Sequence, residues 1–296
     1  MISLFLFACS STTTKDTALS QLETVEGLHV SWHSVTTLSL RFADRLWLFD
    51  PFFSRPEQGM LSSNTTGKNR MTTALGMQVD RIFVGHSHFD HALDVRTAAN
   101  HYGAPVYGSQ TTCHLTGSAE CQVVDQGWQA VLDGVIVTAL RTPHWRPDLS
   151  GVGSYQALES PSDDLATAPN GGVISFHMVF PEGQRILIQD SMGGLDIDDG
   201  SGQSYRQNLD FVESNPIEYW FTCGDCLSES AELEAYVSLL KPSVVVPIHW
   251  DGVMANPAAT PAWQAEELWT QVMTAGEVET QTFSGYATPM TIFAME

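Results

Sequence analysis

Lysine is nearly missing from this 296-residue chain: Lys15, Lys68 and Lys241 are the whole set. Arginine brings the basic residues only to 13, against 34 aspartates and glutamates, so the formal net charge is -21 at pH 7. Binding to DNA or RNA depends on cationic side chains neutralising phosphates, so a nucleic-acid partner is argued against. Also lacking is any apolar run that spans a bilayer; Ile2 to Ala8 falls well short of the roughly 20 residues required. No low-complexity tract and no linker divides the chain. The 43% hydrophobic content supports one large core, so residues 23–296 are read as a single domain. Cysteine is scarce, and there is one C-x-x-C, Cys223-Gly224-Asp225-Cys226, with no second to complete a zinc ribbon and no thioredoxin-like surroundings. Apart from Cys9, the cysteines fall into two close pairs, Cys113 with Cys121 and Cys223 with Cys226. Two local disulfides are the favoured reading, with reduced buried thiols as the alternative.

What is present is concentrated in Gly85-His86-Ser87-His88-Phe89-Asp90-His91. Three imidazoles and a carboxylate follow the apolar run Ile82-Phe83-Val84, which reads as a buried strand. Imidazole nitrogen and carboxylate oxygen suit zinc and neighbouring transition metals, and a loop leaving a strand can turn several of them toward one point. A His-rich surface turn is the bland explanation, but it needs four potential ligands to coincide at this spacing. Three further candidates each end a strand: His144 after Val135 to Leu140, Asp190 after Arg185 to Gln189, and His249 after Ser243 to Ile248.

With the histidine loop and these three residues in order, the chain resembles the metallo-β-lactamase superfamily across roughly residues 27 to 283. That resemblance implies an α/β fold, an αββα sandwich of two mixed β-sheets flanked by helices. It implies two divalent metal ions, zinc first and manganese or iron as alternatives. His86, His88 and His144 would hold one metal, Asp90, His91 and His249 the other, and Asp190 would bridge them. The implied nucleophile is a hydroxide shared by the metals, with Asp90 as the catalytic carboxylate that orients it or carries its proton. Trp32-His33-Ser34, then a hairpin, then Leu48-Phe49-Asp50-Pro51 resembles the branch of ascorbate-phosphate lactonases and the phospholipase D that cleaves N-acyl phosphatidylethanolamines. Asp50 would then hold the metal loop from behind. The implied substrate is a lactone or a phosphodiester, small or lipid-like. Two other functions stay open: a mononuclear iron dioxygenase on the same scaffold, and a non-catalytic exported binding lipoprotein.

Leu6-Phe7-Ala8-Cys9 resembles the lipobox of bacterial lipoproteins, so residues 1–22 are read as a signal and flexible tether. Lipidated Cys9 would attach an exported protein at the periplasmic face or cell surface. Between the motifs, polar residues 54–70 read as a loop, Thr72 to Val79 and Ala92 to His101 as helices, and residues 146–170 as a lid over the site. Asp90 and Asp94 are expected to favour a helix N-terminus there. Trp145 and Trp250, each beside a candidate ligand, are expected to form apolar walls, and Arg55, Arg70 and Arg146 are candidates to meet an anionic substrate group.

Overall fold

Runs such as Leu46-Trp47-Leu48-Phe49 and Val244-Val245-Val246 are apolar at consecutive positions, so strands made of them must bury both faces. A computed structural model describes residues 25–55, 63–117, 120–145, 169–199, 201–227, 229–251, 265–283, 286 and 288–293. The segment around Cys9, the greater part of the proposed lid and Arg146 lie outside the described residues.

The first half of the chain contains β1 (Val25–Ser34), β2 (Thr37–Ala43), β3 (Arg45–Phe49), α1 (Thr65–Leu75), β4 (Arg81–Phe83), α2 (Phe89–Ala92), α3 (Val95–Tyr102), β5 (Val106–Gly108), α4 (Gln110–Thr116) and β6 (Cys121–Val123). The second half contains β7 (Gln129–Leu132), β8 (Val135–Thr142), β9 (Val173–Val179), β10 (Arg185–Gln189), α5 (Tyr205–Leu209), β11 (Tyr219–Cys223), α6 (Ser230–Leu240), β12 (Val244–Ile248), α7 (Glu266–Ala275), β13 (Glu279–Thr280) and β14 (Pro289–Phe293). One sheet has the order β14-β1-β2-β3-β4-β5-β6 and the other β13-β12-β11-β10-β9-β8-β7.

Alternate residues of each strand then part company. Trp47, Phe49 and Phe83 meet Phe176, Ile186 and Val246 between the sheets, while Leu46, Leu48 and Ile82 meet Met71, Val95 and Ala98 of the helices. Leu187, Trp220 and Val245 of the second sheet pack on Leu233, Tyr236 and Trp269 of α6 and α7. The fold is the expected αββα sandwich. Strands β10, β11 and β12 run parallel, and β8 shares their direction because β9 is antiparallel to both β8 and β10. The segments following β4, β8, β10 and β12 gather at one edge, beyond the carboxyl ends of parallel strands, where open α/β sheets place their ligands.

Local structure departs from the sequence reading in two helices. The first helix starts at Thr65, inside the stretch read as loop, because the Asn64 side chain accepts from the Gly67 N–H at 2.7 Å and caps it. It stops at Gly76, whose φ of 73° leaves the helical region, so residues 77–79 are not helical. The single helix read from Ala92 to His101 is two, α2 and α3, parted at Leu93 and Asp94. Asp94 makes no cap. Its carboxylate accepts from the Phe53 and Ser54 N–H groups, both at 2.7 Å, and thereby fastens the chain that leaves β3. Cys113–Cys121 and Cys223–Cys226 are both bonded. Among the described residues, no helix is long and apolar enough to cross a membrane.

Candidate metal centre

The site is assembled on backbone that ordinary residues avoid. Asp50, at the end of β3, has φ of 42°, and His249, at the end of β12, has φ of 58°; such strain clusters where geometry matters for function. Asp50 Oδ1 accepts from the Gly85 N–H at 2.8 Å, which pins the start of the histidine loop. Only glycine fits at 85, because a Cβ there would lie 2.1 Å from Asp190 Oδ2.

Seven side chains converge on this edge in three overlapping groups: His86, His88 and His144; His86, His91 and Asp190; and Asp90, His91 and His249. Within each group the ligand atoms lie within 4.8 Å of one another. All seven candidates named from the sequence are thus brought together, from four separate strand ends.

Their hydrogen bonds show what the group is shaped to hold. His88 Nδ1 lies 3.1 Å from His86 Nε2 and 3.1 Å from His144 Nε2. One ring nitrogen has a single proton or a single lone pair, so it cannot make two good hydrogen bonds, whereas one cation satisfies all three nitrogens. The far side of each ring is already committed. His86 Nδ1 donates to Asp190 Oδ2 at 2.6 Å, and His144 Nδ1 donates to the Trp145 carbonyl at 2.5 Å. His91 Nδ1 faces Asp50 Oδ2 at 3.0 Å. Each partner fixes the tautomer that leaves Nε2 unprotonated and pointing inward. Asp190 Oδ1 is buried with no hydrogen-bond partner. An orphaned carboxylate oxygen in the interior is costly unless a cation meets it. The residues fit divalent metal binding.

Electrostatics agree. Burial, helped by His86 and His144, pushes His88 down to about 2; burial and His86 push His144 down to about 3. Both rings are therefore neutral and ready to ligate near neutral pH. Burial opposes the charges of Asp190 and Asp90, yet His86 and His91 hold Asp190, and His91 and His249 hold Asp90, well below the usual carboxylate range. Burial and the charge of Asp190 raise Asp50. His91 is raised despite its burial by Asp90, Asp190 and Asp50, so without a cation it offsets these buried anions with a proton that a metal at Nε2 would displace.

A cavity of about 340 Å³ opens over the group, lined by His86, His88, Asp90, His91, His144 and His249, and by Trp145, Ser191, Cys223, Asp225 and Cys226. Trp145, 40% exposed, is a wall as expected, but Trp250 is 8% exposed and packs on Trp32 at 4.9 Å between ring centroids, so it belongs to the core. Arg55 does not face the cavity: its guanidinium is paired with Asp251 inside the protein, and Arg70 donates to the Phe53 carbonyl at 3.3 Å. His33 also turns away, bonding Ser39 Oγ at 2.8 Å through Nε2.

Thr36 escaped the sequence reading. Its Oγ1 lies 2.8 Å from both Asp50 Oδ2 and His91 Nδ1, closing a triangle behind His91. Thr36→Val, which keeps the shape and removes the hydroxyl, is expected to weaken zinc binding about 10–100-fold, read by competition with a chromophoric chelator. Burial lowers His33 to about 4, below its unfolded value near 6.5. The folded state therefore binds the proton less well, so this contribution is complete above about pH 6.5 and is lost as pH falls toward 4. By linkage the loss totals about 3 kcal/mol at most. His88 and His144 steepen the same acid limb in metal-free protein, so the difference between wild type and His33→Gln, followed as Tm against pH, isolates the His33 part.

A sequence model described as the metallo-beta-lactamase superfamily matches residues 35–177, which include the histidine loop and His144 and stop before Asp190. No curated protein matches the sequence. Among solved structures, the chain is similar to Igni18, a metallo hydrolase from the hyperthermophilic archaeon Ignicoccus hospitalis, at 15% identity and a TM-score of 0.60, covering 91% of this chain and 99% of that one. It is similar to an isothiocyanate hydrolase from Delia radicum gut bacteria at 14% identity and a TM-score of 0.58, covering 90% of this chain and all of that one (100%). It is also similar to CmlA, a diiron β-hydroxylase from Streptomyces venezuelae, at 15% identity and a TM-score of 0.55, covering 91% of this chain and 55% of that one. The chain is thus similar to the metallo-β-lactamase superfamily over residues 35–177 and shares its fold with these solved structures.

Proposed function

We propose that the chain is a metal-dependent hydrolase that holds two divalent cations, zinc first, and acts on a neutral ester-type substrate such as a lactone. The observation that carries this reading is Asp190: a buried carboxylate with an unpartnered oxygen, grouped with His86 and His91, which themselves belong to the two flanking ligand groups. Cations at these groups would polarise the scissile carbonyl and supply an activated water at neutral pH. His86, His88 and His144 would hold one, Asp90, His91 and His249 the other. Asp50 and Thr36 keep His91 in the right tautomer, and Asp90, ionised at the cavity surface, is placed to orient the attacking water through a hydrogen bond. Trp145 and the Cys223–Cys226 bridge wall off bulk solvent.

The choice of lactone over phosphodiester rests on charge. Among the described residues, the cavity wall carries the carboxylates of Asp90 and Asp225 and neither lysine nor arginine. The cations would draw the anion of a phosphodiester, but no lysine or arginine of the described wall meets its remaining charge, whereas a lactone needs none. The two disulfides support an exported protein held at Cys9, since such bridges persist in oxidising compartments. An iron oxidoreductase is the second reading, favoured by the likeness to the diiron β-hydroxylase fold.

Elemental analysis of protein purified without added metal, followed by assays on a matched lactone and phosphodiester, tests the proposal. About two zinc or manganese ions per chain and faster lactone opening are expected. Iron as the resident metal turns the reading to the oxidoreductase, and faster phosphodiester cleavage overturns the substrate class.

A further inference from the structure

One wall of the metal cavity does more than the screening of solvent requires. Cys223 and Cys226 are bonded to each other, and both line the cavity with Asp225 between them. Their position follows from topology. Strand β11 lies between β10 and β12, with Thr222 paired to Gln189 on one side and to Pro247 on the other. The loop leaving β11 therefore sits between Asp190 and His249.

The bridged loop touches the chain around three metal-ligand candidates. Gly224 N–H donates to the Ile248 carbonyl at 2.6 Å, one residue before His249. Cys226 Sγ lies 4.0 Å from Ser191 Oγ, one residue after Asp190. Ser191 Oγ accepts from the Trp145 N–H at 2.9 Å, and the Trp145 carbonyl accepts from His144 Nδ1 at 2.5 Å. The second bridge, Cys113–Cys121, ties α4 to β6 and contributes nothing to the cavity wall.

We propose that Cys223–Cys226 is an exchange site for a small thiol entering the cavity, and that opening the bridge loosens the loops that hold the metals. The second half rests on the metal-centre reading above. Cys226 is the sulfur within reach, at 8% exposed against 1% for Cys223. The incoming thiolate bonds to Cys226 Sγ, the Cys223–Cys226 bond breaks, and Cys223 leaves as a thiolate that takes a proton from water. A second thiolate then attacks the small-molecule sulfur of the mixed disulfide, releasing Cys226 as a thiolate, which is protonated in turn. Two small thiols are oxidised to their disulfide as one protein bridge is reduced. A cavity of about 340 Å³ admits a small thiol and excludes a protein.

The experiment treats folded, oxidised, zinc-loaded protein with 2-mercaptoethanol or with reduced thioredoxin. Newly exposed thiols are alkylated and located by mass spectrometry, and zinc affinity is measured in parallel. The small thiol is expected to open Cys223–Cys226, thioredoxin to leave it closed, and the zinc Kd to rise by about 10-fold on opening, as for lost support behind a ligand, and to return on reoxidation. A Cys223–Cys226 bridge that resists 2-mercaptoethanol while Cys113–Cys121 opens, or that opens equally to thioredoxin, overturns the exchange site. Opening with unchanged zinc affinity overturns the coupling. If the oxidised protein takes up no metal at all, the metal-centre reading falls and the coupling with it, and the alkylation pattern alone decides the exchange.

Discussion

Asp190→Asn is expected to abolish hydrolysis and to cut zinc binding, with a modest loss of stability in metal-free protein. The substitution keeps the shape and an oxygen to accept from His86 Nδ1, now 2.6 Å from the carboxylate. It removes a buried charge whose other oxygen has no partner. In metal-free protein His86 and His91 more than offset the desolvation of that charge, so its loss lowers stability somewhat. In loaded protein, on the reading proposed above, the same charge would help to hold and neutralise the cations. Zinc affinity should therefore fall beyond the 10–100-fold range expected for a residue acting through a ligand. The rise in Tm on adding zinc, which measures binding to the folded state, should shrink with it. A purely structural aspartate predicts a different pattern: a lower Tm without metal and an unchanged response to zinc. Calorimetry with and without zinc, beside an activity assay, separates the two.

Trp32→Ala should give the largest loss of stability, about 3–5 kcal/mol, as expected for emptying a fully buried tryptophan site. Trp32 is 0% exposed, with ring centroids 4.9 Å from Trp250, 6.1 Å from Phe283 and 4.7 Å from Tyr286. The effect reaches the site through one carbonyl. Val35 O accepts from Trp32 Nε1 at 2.7 Å and also from the His249 N–H at 2.8 Å. Val35 N–H in turn donates to Asp251 Oδ1 at 3.0 Å. The aromatic cluster thus steadies the turn that carries a metal-ligand candidate. Trp32→Phe keeps the ring contacts and loses the indole donor, so it should recover most of the stability while leaving His249 less firmly placed. Urea unfolding midpoints for both variants, with zinc stoichiometry measured on each, check this: the midpoint should follow ring size, and the zinc content should follow the donor. Equal midpoints for wild type and Trp32→Ala would contradict the packing argument.

Much of this architecture is legible in the sequence because its signals are local. His86, His88, Asp90 and His91 fall within six positions, so no fold is needed to bring them together. The inner strands of a sandwich are buried on both faces, which writes them as continuous apolar runs, and the last residue of each run marks a strand end. His144, Asp190 and His249 stand at such ends, in the order that the resembled family implies. The first helix was misread for a local reason too. Its residues are mostly polar and exposed, and a single cap at Asn64 decides where it begins.

Other features of the site depend on residues distant in the chain. Thr36 carries no motif, and it matters because β1 and β2 turn beside His91, 55 positions away. Arg55 looked available to a substrate, but Asp251, 196 positions on, pairs with it in the interior. Cys223-Gly224-Asp225-Cys226 was read as a local bridge, and only the order β10-β11-β12 puts that bridge between two metal-ligand candidates. By itself, then, the sequence determined the main strands and the close-spaced histidine loop, since period and spacing are written along the chain, and the resemblance those residues carry implied the αββα class and the remaining metal-binding candidates. The tertiary structure alone decided which groups stand behind those ligands, which arginine is already paired and what lines the cavity. Such contacts join residues far apart in sequence, and their partners are chosen by packing between the two sheets.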